Sequence, residues 1–217
     1  MRLRKVKNIE EKIKQCADVI VFNPEQQKGK WNELFNNNNP IYLEIGMGKG
    51  KFIYENAISY PNINFIGCVI VDSVIYKAAT KFQKNKPDNL LLINIDARCL
   101  KDCFEKGEIA KIFLNFSDPW PKSRHEKRRL TSTDFINVYR EVIVDKGIIE
   151  FKTDNQHLFE YSVVSFNQNN LDFLELHLSL HEELKEGEED RHIITTEYEE
   201  KFKGLGQPIY FIKVRFK

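Results

Sequence analysis

Ile41-Tyr42-Leu43-Glu44-Ile45-Gly46-Met47-Gly48-Lys49-Gly50 decides the fold. It reads as a buried strand, Ile41 to Ile45, that turns through three glycines into a helix running to about Ile58. Strand, glycine turn and helix form the opening unit of an α/β sheet, whose ligands sit at the carboxyl ends of the strands. Small residues let a ligand approach the backbone, and the following helix offers free N–H groups. The turn lacks the Gly-Lys-Ser/Thr ending of a phosphate-binding loop and is no clean dinucleotide fingerprint. Glu44, just before the glycines, suits a cationic or hydroxyl-rich ligand better than a phosphate. A tight turn with a polar strand end is the plain alternative.

Outward from this unit the chain keeps alternating. Asn64–Ile70 is a second predicted strand, followed by a helix capped at Asp72 or Ser73 and running to about Lys84. Leu90–Ile95 is a third, ending at Asp96, with a short helix at Leu100–Phe104. Lys111–Phe116 is a fourth, Ser132–Val144 a helix, Gly147–Lys152 a fifth strand and Asn155–Asn167 a helix. Phe173–Leu180 and Pro208–Phe216 alternate as strands on either side of an acidic loop at 182–195. This order predicts a mostly parallel sheet with helices on both faces. Upstream, Arg2, Arg4, Lys5 and Lys7 make a basic arm and Ile9–Ala17 a short helix; Asn36–Asn39 and Pro40 then break the chain. The predicted division is 1–39, arm and helix, and 40–217, the main domain.

A chain of 217 residues, 41% hydrophobic and 30% charged, is a globular protein with a sizeable core. Its net charge is only +1, so any polyanion site must come from local clustering. Cys16, Cys68, Cys99 and Cys103 show neither a disulfide framework nor zinc spacing. His177, His181 and His192 lack ligand spacing, so no metal site is expected. With no long apolar run and no signal peptide, the expected location is the cytoplasm, away from membranes.

Chemistry-bearing residues gather at strand ends: Glu44, Asp96, Asp118 and Asp154. Asp96 suits an adenine amino group or a ribose, or simply caps the next helix. Asp118 lies in Asn115-Phe116-Ser117-Asp118-Pro119-Trp120-Pro121-Lys122, where two prolines stiffen the loop and favour a positioned site. Asp154, read alone, is an ordinary turn acid. Lys122, Arg124, Lys127, Arg128 and Arg129 come close behind. They read as a phosphate-binding cluster or a solvated helix face, and Asp118 nearby favours phosphate. Four or five phosphate contacts predict a log K against log salt slope of roughly −3 to −4. Trp120 reads equally as a base-stacking platform or as the loop's anchor. Thr196-Glu197-Tyr198-Glu199 reads alone as a polar edge.

Taken together, Leu43 to Gly50, Asn115 to Arg129, Phe151-Lys152-Thr153-Asp154-Asn155 and Thr196 to Glu199 resemble the bacterial tRNA (guanine-N7-)-methyltransferase family. The resemblance spans nearly the whole chain. It implies a class I S-adenosylmethionine-dependent, Rossmann-like fold with an antiparallel last strand. The implied reaction is methylation of guanine N7 in the tRNA variable loop. It also implies that Glu44, Gly46, Gly48, Asp96 and Asp118 lie against S-adenosylmethionine, and that Asp118 is catalytic. Lys122, Asp154, Thr196, Glu197, Tyr198 and Glu199 would contact the substrate, with Arg124, Lys127, Arg128 and Arg129 on the RNA. One position departs: where the family carries a ribose-binding glutamate at the end of the second strand, this chain has Val69. Losing one charge-assisted bond of about 1.5–3 kcal/mol would weaken cofactor binding roughly ten- to a hundredfold. Asp72 is a candidate substitute. The rival expectation is a non-catalytic tRNA-binding protein; monomer and homodimer both stay open.

Overall fold

The computed structural model describes residues 7–184 and 194–217. Among them, eight strands form one sheet: β1 Ile20–Val21, β2 Ile41–Ile45, β3 Asn64–Cys68, β4 Leu90–Ile93, β5 Ile109–Asn115, β6 Ile143–Thr153, β7 Asp172–His177 and β8 Tyr210–Arg215. Their order is β1-β4-β3-β2-β5-β6-β8-β7. Strands β1 to β6 run parallel, while β8 is antiparallel to both β6 and β7. The order reverses between β2 and β5, so a crevice opens at their carboxyl ends.

The helices are α1 Ile9–Lys14, α2 Trp31–Phe35, α3 Lys51–Ser59, α4 Asp72–Phe82, α5 Leu100–Cys103, α6 Thr133–Arg140, α7 Gln156–Gln168, α8 Leu180–Glu183 and α9 Glu197–Lys203. Strand alternation sends neighbours to opposite faces. Phe65, Leu92 and Phe113 pack under Phe52 and Ile53 of α3 and Ile75 and Phe82 of α4. Leu43, Ile66, Leu114 and Phe151 pack under Phe135 and Tyr139 of α6 and Leu158 and Phe166 of α7. Each such fully buried apolar side chain contributes roughly 1.5–3 kcal/mol. No helix among the described residues is long and apolar enough to cross a membrane.

Several boundaries differ from the sequence reading. The expected helix to Val144 stops at Arg140, and Ile143 instead pairs with Ile109 at the start of β6. Lys146 then turns at φ 60°, and a Cβ on Gly147 would lie 2.4 Å from the Ile143 side chain, so β6 enters through a tight kink. The second strand ends at Cys68, leaving Val69 and Ile70 beyond it, and the seventh at His177, with Leu180 opening α8. Before Pro40 the chain adds β1, paired with β4, and Trp31, which is fully buried and stacked on Phe104 at 4.8 Å. Arg2, Arg4 and Lys5 of the basic arm lie outside the described residues, as does much of the acidic loop.

Candidate active site

The crevice at the switch point is a cavity of about 340 Å³. Gly46, Val69, Asp96, Asp118 and Arg128 line it, with Phe116, Ser117 and Trp120. Four separate strand ends therefore converge, as the sheet order requires. Gly46 and Gly48 have φ of 78° and 54°, with nothing within 4 Å of a Cβ at either. Their backbone is thus open to a ligand, at dihedrals that only glycine adopts without strain.

Glu44 is predicted to touch the cofactor, but it lies behind Gly46 rather than on the cavity wall. It is 1% exposed; Oε1 accepts from Asn115 Nδ2 at 3.0 Å, and Oε2 has no hydrogen-bond partner among the described residues. Burial pushes its carboxyl up to about 7, against the opposing pull of Asn115, the Ile53 N–H and the Lys152 charge. Ser117 Oγ is a second buried polar atom without a partner. Orphaned groups of this kind beside a cavity are what a polar ligand would satisfy.

Asp96 takes the capping role and also lines the cavity. It caps a short 3-10 helix by accepting from Arg98 N at 2.9 Å, and it pairs with the Arg98 guanidinium at 2.8 Å. Partial burial works to raise its carboxyl, but the Arg98 bonds prevail and hold it below the usual range. Asp118 is exposed and makes no side-chain hydrogen bond or ion pair among the described residues. Phe116, two residues before it, sits at φ 51°, a rare conformation for a bulky residue, and Trp120 at φ 41°.

The basic run behind Asp118 divides in two. Lys122, Arg124, Lys127 and Arg128 are exposed, and Arg128 stacks over the Trp120 ring at 4.9 Å. Arg129 turns inward instead. Its guanidinium donates to the carbonyls of Pro119 and Trp120 at 3.1–3.3 Å and covers the Tyr161 ring at 4.3 Å. Through Nε and Nη2 it braces the Asp118 loop. Trp120 is half-buried on the cavity wall, edge-on to His125 at 5.6 Å and under Arg128.

The segment Thr196 to Glu199 is likewise divided. Thr196 Oγ1 accepts from the Glu199 N–H at 2.9 Å, and Glu199 reaches back to the Thr196 N–H, closing a capping box on α9. Glu199 is 0% exposed and takes Lys152 Nζ at 3.0 and 3.2 Å and His181 Nε2 at 3.0 Å. Burial works to raise its carboxyl, but the hydrogen bond from His181 and the Lys152 charge hold it below the usual range. Glu199 is therefore closed in by burial and its partners, and the Thr196 hydroxyl oxygen is engaged as the helix cap. Glu197 pairs with Lys49 at 2.7 Å. Tyr198 is 46% exposed, with its ring 5.1 Å from that of Phe116. Partial burial and the nearby Asp154 carboxylate raise its phenol. Tyr198 and Asp154 thus sit near each other behind Phe116, which lines the crevice.

Sequence reading missed Phe116, Ser117, Asn115, Lys152 and His181. The apolar or uncharged ones gave no chemical signal, and Lys152 and His181 acquire a role only through tertiary contact with Glu199. Asp72, the suggested substitute for a second-strand acid, is exposed at the start of α4 and does not line the cavity.

Residues 38–212 match the family described as "Putative methyltransferase". The chain is 50% identical over 216 residues to the tRNA (guanine-N(7)-)-methyltransferase of Geobacillus sp. (strain WCH70), covering 100% of this chain and 96% of that one. It is 48% identical over 217 residues to the protein of the same name from Bacillus subtilis (strain 168), covering 100% of both. Among solved structures, a 16S rRNA methyltransferase matches 87% of this chain and 93% of its own, with TM-score 0.65 at 12% identity. At that identity the likeness is one of fold, the class I methyltransferase fold.

Proposed function

The chain belongs to the bacterial tRNA (guanine-N(7)-)-methyltransferase family, and from that premise we propose that it transfers the methyl group of S-adenosylmethionine to N7 of a guanine in the tRNA variable loop. The observation that carries this reading is Asp118: an exposed carboxylate without a side-chain partner among the described residues, at the switch point of the sheet, with four exposed cations close behind it. A tRNA substrate would set the reaction in the cytoplasm.

The residues present fit the cofactor. Gly46 and Gly48 leave the backbone open, and Asp96 and Ser117 offer hydrogen-bonding groups at the cavity wall. Glu44 holds an unpartnered oxygen beneath the turn, which suits a cationic amino group. Val69 lines the wall where an acid is expected and has no acceptor, so ribose hydroxyls gain nothing from its side chain. When bound, S-adenosylmethionine supplies a methyl group on a positively charged sulfur.

Guanine N7 carries an exposed lone pair, so no base is needed to deprotonate it. Catalysis rests on alignment and charge. Asp118 stabilises the positive charge that moves onto the purine and accepts from the guanine N1–H and amino group. Tyr198 and Phe116 offer aromatic faces for the base beside it. Lys122, Arg124, Lys127 and Arg128 hold the phosphates. If the target guanine is stacked in folded tRNA, exposing it costs a few kcal/mol, on the order of 2–4, which those contacts offset. No observation favours a non-catalytic RNA-binding protein over this reading.

The test is incubation with S-adenosylmethionine and unmodified tRNA, followed by mass spectrometry of the digested nucleosides. The expected product is 7-methylguanosine. A methyl group on another atom, or none, would overturn the proposal.

A further inference from the structure

We propose that Lys152, Glu199 and His181 are positioning residues: a buried ion triad that fixes the first turn of α9 and so sets Tyr198 against Phe116 as the substrate side of the cleft. The inference rests on the proposed function for its substrate, but its geometry stands apart from it.

Four successive residues of α9 point four ways, as about 100° per residue requires. Glu197 reaches Lys49 in the glycine turn, and Glu200 reaches Lys51 at the start of α3, at 2.9 Å. Tyr198 meets Phe116. Glu199 points inward to Lys152, at the end of β6. The outer pairs are solvent-exposed on at least one side and bind weakly. The inner one is different: its side chains are 5% and 0% exposed.

Both oxygens of Glu199 are taken. Oε1 accepts from Lys152 and His181, and Oε2 from Lys152 and the Thr196 N–H. None of these acceptor sites is left for a base in the cleft. His181 comes from α8, 18 residues before Glu199, so the triad also ties together the two short helices that flank the acidic segment. The neutral tautomer with hydrogen on Nε2, like the charged ring, donates to the carboxylate. An apolar cluster of Leu180, Ile209 and Phe211, with Phe116, Leu184 and Phe202 against it, lies under the same two helices. Apolar packing holds them to the sheet, and the triad sets their angle. A turn of α9 about its axis would move the Tyr198 ring off Phe116 and out of reach of Asp154.

The test uses the full chain and three variants: Lys152→Met, Glu199→Met and the double variant. For each, kcat and KM for tRNA are measured, with calorimetric binding of S-adenosylhomocysteine and amide hydrogen exchange over residues 194–203. Each single change should lower kcat on the order of tenfold to a hundredfold, the scale of a displaced contact residue. Cofactor affinity should stay put, and exchange should rise in 194–203. The double variant, which removes both members of the buried ion pair and with them the tie on α9, should melt closer to wild type than either single variant, because no buried charge is left stranded, but should regain neither protection nor kcat. If a single variant fails to fold, the double still decides. A double variant that regains both kcat and protection would overturn the triad, because α9 would then keep its place without it. So would a change confined to the KM for tRNA, or unaltered exchange. A wild-type protein that methylates no tRNA yet shows the predicted exchange pattern would sink the functional reading and support the triad.

Discussion

Asp118, Asp154 and Glu44, at or near the crevice, and the acids of α9 are treated in opposite ways, while Asp96 on the cavity wall is held by Arg98. Asp118 and Asp154 make no side-chain ion pair or hydrogen bond among the described residues, and Glu44 leaves one buried oxygen without a partner. Glu197, Glu199 and Glu200 each hold a lysine, at 2.7, 3.0 and 2.9 Å. Burial alone does not separate the sets, since Glu44 and Glu199 are 1% and 0% exposed. Pairing does: Glu44 rises to about 7, while Glu199 falls below the usual carboxylate range. Open acids await a ligand, and closed acids build the wall around it. The fold carries unsatisfied charge where chemistry needs it and satisfies the rest nearby.

The sharpest way to break this contrast is pH. A carboxyl whose pKa is raised by folding favours the native state below about 4.5 and loses that benefit as pH climbs through about 7. Glu44→Gln should therefore raise the melting temperature of the ligand-free protein at pH 8, by up to roughly 3 kcal/mol in stability. The gain should vanish near pH 4, and the variant should bind cofactor less well. Glu199 has the opposite sign. Its lowered pKa contributes stability above the ordinary carboxylate range, lost as pH falls below it. Equal melting of Glu44→Gln and wild type at pH 8 would mean that Glu44 is already neutralised.

A smaller effect is expected on the cofactor side. Val69→Glu adds the missing acceptor to the cavity wall. Calorimetric binding of S-adenosylmethionine should tighten about ten- to a hundredfold, the value of one charge-assisted bond. An unchanged constant would show that the ribose finds its partners elsewhere. The smallest effect belongs to the outer seam of α9. Lys49→Ala removes a pair exposed by 56% and 46%, so melting should shift by no more than about 1 kcal/mol in stability. A larger loss would place Glu197 among the architectural acids as firmly as Glu199.

Much of this is legible in the amino-acid order alone. Ile41 to Gly50 announces a strand, a glycine turn and a helix, and the structure has β2, Gly46 to Gly50 and α3 there. Strand-end position brings Gly46, Val69, Asp96 and Asp118 to one crevice, because a parallel sheet aligns the ends of its strands. Side-chain direction is not legible. Arg129 sits in a basic run with Arg128, yet one faces the loop's carbonyls and the other the cavity. Thr196 and Glu199 share a motif with Tyr198, but the capping box turns the first two inward. β1, with two residues, is shorter than any periodicity can register, and Trp31 is buried by contacts with Phe104 and Cys103 far along the chain.

The most direct measurement is the steady-state turnover of Asp118→Ala beside its affinity for tRNA. An open acid at the reacting base should act on the transition state. Turnover should fall by about 10²–10³-fold, as when one preorganised stabilising group is removed, while the tRNA dissociation constant and the melting temperature stay close to wild type. Equal losses in turnover and tRNA affinity would make Asp118 a binding residue, and a large drop in melting temperature would make it a structural one. Either result would contradict the division between acids left open for chemistry and acids closed for architecture.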